Sequence, residues 1–491
     1  MMATARGPLE YRFEAPGAAA VVGVPARLVP AVAAVVVPTA VLVINARFGL
    51  ALVWLAATVT AAAGHRGHVL ARARSRTGRA TGRVGWRRRR LAPDRADRVE
   101  LPGSLAGLTV EDHVLDWPGV GPVRVGVIHD RVARTLSAFV EVKGHGFELA
   151  GDGDRDDAVA GWGAALAPFA SARSAVTQVV WHEWSRPVGL GAHREFLDRR
   201  ARPDGVHRDD YEALLEVRDP WTIAHQTLVG VSVDVGRVAG RRSVRISART
   251  ATDAAREVLV RQLAGFASRL NAVGLVVSVP LPANDVAFAV RARSDPSRLR
   301  HVSRLQRSLA TAVGHRDVEW GPMSLDAQAR MVRVDGSWHR SWRAALLPLL
   351  PVRADWLGGL LTSGPDVTRS VTTVFRPVPA RAAQREVSRQ LTSLEAEQEE
   401  RVRQGFRIKA RDRRKVETME ERERELAAGH PEFEIAMVVT VTATSPEHLE
   451  EAAEAVEDAA GLLDLRPLDY AHDRGLVASL PLGRITRGKL L

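Results

Sequence analysis

Five stretches of this chain place residue types where chemistry could follow, and each lacks a part that the chemistry needs. Gly483 to Lys489 (GRITRGK) has the spacing of a phosphate-binding loop, yet Leu490 stands where the magnesium-binding Ser or Thr belongs. ATP binding is therefore not expected there. Asp152, Asp154 and Asp156 imitate the start of a calcium loop, but Asp157 occupies the position that needs glycine and Gly163 the one that needs a bidentate Glu. An acidic helix start is the better reading. His315-Arg316-Asp317 is similar to a kinase catalytic loop in which Pro322 replaces the metal-binding Asn, and no DFG follows. His182-Glu183 lacks the second histidine of a zinc protease, and GHGFEL from Gly144 lacks the third glycine of a dinucleotide fold. The chain has no cysteine, which excludes disulfides, thiolate metal sites and cysteine nucleophiles, and its 15 histidines show no paired spacing. No acid, base and nucleophile are assembled. A non-enzymatic protein without metal or cofactor is the expectation.

What remains is a chain organised around Leu28 to Ala63, an almost uncharged run broken only by Asn45-Ala46-Arg47. As helices, Leu28–Ile44 and Phe48–Ala63 would rise about 25 and 24 Å against a hydrocarbon core roughly 30 Å thick. Ala20–Val24 and Gly64 can lengthen them. No amphipathic period runs through either half, so a transmembrane hairpin over 28–64 is expected rather than a surface helix. Arg6, Arg12 and Arg27 precede it and twelve arginines lie between Arg66 and Arg98. The positive-inside rule then puts both flanks in the cytoplasm and the link outside, at the inner (cytoplasmic) membrane.

The net charge of +12 is concentrated in residues 1–98, which hold 16 arginines and 4 acidic residues; the rest of the chain carries 53 charges of each sign. A basic excess beside a membrane points to anionic lipid headgroups as partners, with Trp86 and Arg87, Arg88, Arg89 and Arg90 at the membrane surface. No aromatic platform accompanies these arginines, and direct nucleic-acid binding is not expected.

The layout expected for the chain is a lead over 1–27, the hairpin over 28–64, an arginine-rich juxtamembrane segment over 65–98 and a cytosolic α+β domain over 99–320. A connecting region (321–378), a charged helical arm (379–428) and a C-terminal ferredoxin-like unit (429–491) follow. Apolar runs at Val123–His129 and Thr135–Val142 read as a β-hairpin. Asp154–Ala170 reads as a helix, Val176–Glu183 as a strand, Ala192–Val217 as a helical pair, and Leu228–Val235 as a strand. Thr252–Val273 is amphipathic, Leu275–Val279 a short buried strand, and Ser294–Val313 a helix opened by Asp295-Pro296. Strands and helices mix without regular βαβ alternation, which gives an α+β class. Asp335-Gly336 marks a turn, Val371–Pro377 a strand, and Pro379 starts a long helix or helical hairpin over Ala380–Ala428 with its bend at Gly405. Of the 31 residues from Glu395 to Glu425, 20 are charged, which suits a solvent-bridging arm or a partner surface. Phe433–Val441 alternates as a strand, Ser445-Pro446 caps a helix through Leu463, and Leu465–Tyr470 and Leu476–Leu480 return as strands.

The chain carries AVAGWGAALA (Ala158–Ala167), VDGSWHRSW (Val334–Trp342), VTTVFRPVPARAAQREV (Val371–Val387), VTVTATSPEHLEEA (Val439–Ala452) and LPLGR (Leu480–Arg484). In this order these motifs resemble a family of actinobacterial membrane proteins from conjugation or type IV secretion-like clusters. The resemblance implies a two-helix membrane subunit joined to the N-terminal, non-ATPase part of a VirB-type assembly ATPase, whose motor domain is encoded separately. It implies a membrane scaffold that docks a VirB-type ATPase and other secretion-system subunits in a multi-protein complex, and it supplies no catalytic residues. The alternative is a membrane component of a type VII secretion core, which gene neighbours would distinguish.

Overall fold

The computed structural model describes residues 101–144, 146–200, 207–219, 222–240, 248–298, 320–348, 352–362, 364, 367–404 and 410–485, together with short strands at 20–21, 24–25 and 83–87. The hairpin expected over 28–64 lies outside the described residues, among which no helix is long and apolar enough to cross a membrane. Ala20–Val21 pairs with Val24–Pro25, so at this point the chain turns back on itself instead of prolonging a helix.

The class is α+β, built on one large antiparallel sheet. In its first half, β2 (Leu108–Trp117), β3 (Gly121–Asp130) and β4 (Thr135–Lys143) form a meander. α1 (Asp152–Leu166), β5 (Val176–Pro187), α2 (Gly191–Arg200), α3 (Arg208–Arg218), β6 (Ile223–Asp234), α4 (Ala248–Ala272), β7 (Val276–Pro280) and α5 (Ala283–Ser294) follow. Alternation explains how the sheet is covered, because successive strand residues face opposite sides. Leu136, Ala138 and Val140 of β4 and Val229, Val231 and Val233 of β6 lie under α4, which buries Leu259, Leu263, Phe266 and Leu270 on them. Each such side chain contributes about 1.5–3 kcal/mol on leaving water. Phe139 and Leu228, on the other face, pack with Val286 and Val290 of α5.

The second half repeats this order. β8 (Ser324–Gln328), β9 (Val332–Val334) and β10 (Ser337–Leu346) form a meander turned at Asp335-Gly336. α6 (Gly358–Thr362), β11 (Thr368–Val378), α7 (Ala380–Arg403), α8 (Ala410–Ala427), β12 (Glu432–Ala443), α9 (Pro446–Ala459), β13 (Asp464–Pro467) and α10 (His472–Ser479) follow. Across the sheet the order is β8-β9-β10-β12-β11-β5-β6-β4-β3-β2, which reads the same from either end once the halves are equated. In each half the first strand of the core shares its outer edge. β4 pairs β3 and β7, and β10 pairs β9 and β13. The cores β7-β4-β6-β5 and β13-β10-β12-β11 are therefore the same split βαβ arrangement. They meet at the antiparallel β5–β11 pair, where Trp181 lies opposite Thr373, as an approximate two-fold axis normal to the sheet requires.

Two expectations need correction, and two further segments prove to contribute strands to the sheet. Leu476–Leu480 is not a strand: Leu476–Ser479 belong to α10, which lies on the sheet with Gly475 against Ser341, where a Cβ would fall 2.3 Å from the serine Cβ. A five-residue apolar run cannot separate a buried strand from a buried helix. Ser294 ends α5 instead of opening a helix; a short 3₁₀ turn follows at Pro296–Arg298, and 299–319 lie outside the described residues. Residues 321–378, expected as a connecting region, supply β8 to β11, which share the sheet with β12 and β13. Part of the arginine-rich segment is itself a strand: β1 (Arg83–Arg87) pairs antiparallel with β8, Trp86 opposite Leu325.

Candidate functional site

The charged arm springs from the second half. Pro379 precedes α7, and Ala383, Val387 and Leu391, four residues apart, make one apolar stripe that packs on Leu426, with Val416 and Met419 beside it. α7 and α8 are thus an antiparallel helical hairpin, with 405–409, including the expected bend at Gly405, outside the described residues. The Arg422 guanidinium pairs with the Glu432 carboxylate and ties α8 to the start of β12. β11 and β12 stay in register up to Val378 opposite Glu432, so the whole arm is an insertion between two adjacent strands. α7 has 24 residues, about 36 Å. Past Leu394 its described side chains, Glu395, Ala396, Glu399, Glu400 and Arg403, are exposed. Exposed pairs such as Arg389 with Glu386 and Arg403 with Glu400 add about 0.3–0.5 kcal/mol each and leave the surface charged.

On the sheet face that α5 and α10 cover, buried hydroxyls sit among the apolar side chains. Ser137 Oγ meets Ser232 Oγ at 2.7 Å on the β4–β6 ladder, and Ser341 Oγ meets Thr440 Oγ1 at 2.8 Å at the matching place on β10–β12. Ser479 of α10 continues the second pair at 2.7 Å. At the seam between the halves His182 Nδ1 is 2.8 Å from Thr372 Oγ1. His339 lies 2.9 Å from both Thr442 Oγ1 and the Ser294 carbonyl, so Nε2 donates to the carbonyl and Nδ1 accepts from the hydroxyl. Burial holds these imidazoles neutral: His182 is pushed down to about 3 by desolvation, with Arg293 adding to it, and His339 and His472 to about 4, chiefly by desolvation. At neutral pH they are hydrogen-bonding groups of the core rather than proton shuttles.

Each half also reaches across to the other. Beyond α5, Asp295 accepts from Ser337 Oγ at 2.9 Å and from the Gly336 amide at 3.3 Å in the β9–β10 turn. Beyond α10, Arg484 forks onto Asp130 at the end of β3, with Nε and Nη2 at 2.7 and 2.6 Å, while Nη1 donates to the Ser104 and Ala106 carbonyls. Gly483, at φ 65°, sets up this approach: a Cβ there would fall 2.3 Å from Ser137 Oγ.

Of the residues expected at a membrane surface, Trp86 and Arg87 lie in β1, while Arg88, Arg89 and Arg90 lie outside the described residues. Asp152 and Asp154 occupy the first turn of α1, where the helix dipole favours acids, and Asp152 pairs with Arg353. His182 and Glu183 face opposite sides of β5: His182 stacks towards Phe139, and Glu183 accepts from Thr227 and bonds His225. Phe147–Leu149 of GHGFEL is a 3₁₀ turn, while His315 to Asp317 and most of GRITRGK lie outside the described residues. Among the described residues no three histidine or acidic side chains are placed to hold a metal. The Asp130–Arg484 pair, 354 residues apart in sequence, had no signal that could have announced it. A scan against known protein-family models finds no match to this chain, and no curated protein matches it.

Proposed function

We propose that this protein is a non-enzymatic inner-membrane scaffold of a type IV secretion or conjugative apparatus, which holds a separately encoded VirB-type assembly ATPase through the α7–α8 arm. The arm carries the reading. It is inserted between two strands that pair without it, its apolar stripe lies near its base, and the described residues of α7 beyond Leu394 are exposed and mostly charged, as suits a protein-docking lever. The resemblance motifs support the same reading, since they fall on joints of the fold: VDGSWHRSW on the β9–β10 turn, VTTVFRPVPARAAQREV from β11 into the arm, and LPLGR on the Asp130 clasp. On this proposal the two halves are ferredoxin-like units side by side. The 28–64 hairpin anchors them, and Trp86 and Arg87 to Arg90 lie near anionic headgroups.

The test replaces residues 380–427 by a short Asn-Gly turn joining β11 to β12. The expected outcome is a protein that stays in the membrane fraction, unfolds as the parent does, and no longer recovers a VirB-type ATPase by affinity purification from native membranes. Retained ATPase would refute the arm as dock, and recovery of type VII core components in its place would move the protein to that system.

A further inference from the structure

A second feature lies in the first half, remote in the fold from the arm. On the α4 side, β2 and β3 face the opening turns of α4 across a cleft of about 400 Å³. Two of its charge pairs are internal: Arg256 with Asp253 on α4, and Glu111 with His113, 3.6 Å apart on β2. Arg131, in the turn that follows β3, and Arg249 from α4 line the same cleft and have no ion-pair partner among the described residues. The first turn of α4 contains no acid and carries Arg249 instead, against the preference of a helix N-terminus for negative charge. Thr252 adds a hydroxyl to the floor.

The cleft is therefore short of negative charge. Its half-buried member His129 reports this: burial holds its imidazole below the ordinary value, and the nearby Arg131 and Arg256 push it the same way, against Glu111 and Asp130. Two arginine forks from different elements, a helix start and a titratable imidazole form the donor set that a tetrahedral oxyanion requires. The volume exceeds that of a bare oxyanion and leaves room for an organic substituent.

We propose that this cleft binds a phosphate group, gripped by Arg131 and Arg249, whether borne by a soluble phosphate or by a lipid headgroup. Bound phosphate supplies the missing charge, so His129 takes up a proton more readily, and binding strengthens as pH falls from about 8 to about 6.

The experiment follows the His129 imidazole by NMR in the full-length protein in neutral detergent while inorganic phosphate is added. Saturable binding with a rise in the His129 pKa is expected. Arg249→Ala and Arg131→Ala should each weaken it at least about tenfold, Arg249→Lys should weaken it less, and the arm variant Arg389→Ala should leave it unchanged. Short-chain phosphatidic acid in the same detergent is then added as competitor. Displacement of phosphate assigns the site to headgroups and lack of displacement to soluble phosphates. A His129 resonance indifferent to phosphate, or one that responds in the Arg131→Ala and Arg249→Ala proteins as it does in the parent, would overturn the proposal.

Discussion

The two halves of the sheet share a core and differ at every periphery. Both have a three-strand meander, a split βαβ core, an inserted helical pair and a closing helix on the same face of the sheet. The insertions diverge: α2 and α3 are 10 and 11 residues and leave Phe196, Tyr211, Leu214 and Val217 exposed, whereas α7 and α8 are 24 and 18 residues and bury an apolar stripe of their own. The helices over the first core are 15 and 25 residues, over the second 5 and 14. The outer edges differ too, since β8 is covered by β1 while, among the described residues, β2 ends the sheet. What is held in common is what an antiparallel sheet needs to exist. What has diverged is surface, and surface is where partners are chosen.

If the reciprocal clasps hold the halves together, breaking them should cost most, and unequally. Arg484→Met leaves the buried Asp130 carboxylate unpaired and should lower stability by about 3–5 kcal/mol in urea unfolding. Asp295→Ala, which removes the hydrogen bonds from Ser337 and Gly336, should cost about 1–3 kcal/mol. Equal losses would contradict the asymmetry. The arms offer the next contrast: Leu391→Ala in the second should cost about 2–4 kcal/mol, and Leu214→Ala in the first should stay within about 0.5 kcal/mol. A large loss at Leu214 would show that the first arm is covered in solution. Gly475→Ala should destabilise by about 1–3 kcal/mol, because its Cβ has no space above Ser341.

Acid provides the smallest and most local test. His182, His339 and His472 have folded values depressed to about 3 or 4, below that of an unfolded histidine near 6.5, so the unfolded chain binds more protons between those limits. The stability they confer is full above about pH 6.5 and is lost as pH falls, by up to about 1.4 kcal/mol per unit for each histidine. His339→Gln should remove one proton from the slope between about pH 6 and pH 5, and an unchanged slope would mean that His339 titrates alike in both states.

Much of this was legible along the chain because the signals are local. The alternation of Phe433 to Val441 marked β12, Asp335-Gly336 the β9–β10 turn, and Ser445-Pro446 the start of α9, where Ser445 Oγ accepts from the His448 amide. The β3–β4 hairpin and the strands at β5, β6 and β11 were legible for the same reason. The duplication was not: the equivalent strands share a register and a pair of buried hydroxyls, but little else that a reading of single residues can align, and insertions of different length separate them. The short run from Leu476 was read with the wrong period because its burial depends on a sheet formed by residues far away in sequence.

By itself the sequence determined the α+β class, most strand and helix positions, the charged arm, and the concentration of basic charge before residue 99, since period, capping and charge act over a few residues. Only the tertiary structure decided that two halves form one sheet, that Arg484 closes on Asp130, and that Arg131 and Arg249 share a cleft. Those are pairings between distant segments. Their energy is gained only when burial brings the partners together, so no local pattern of residues announces them.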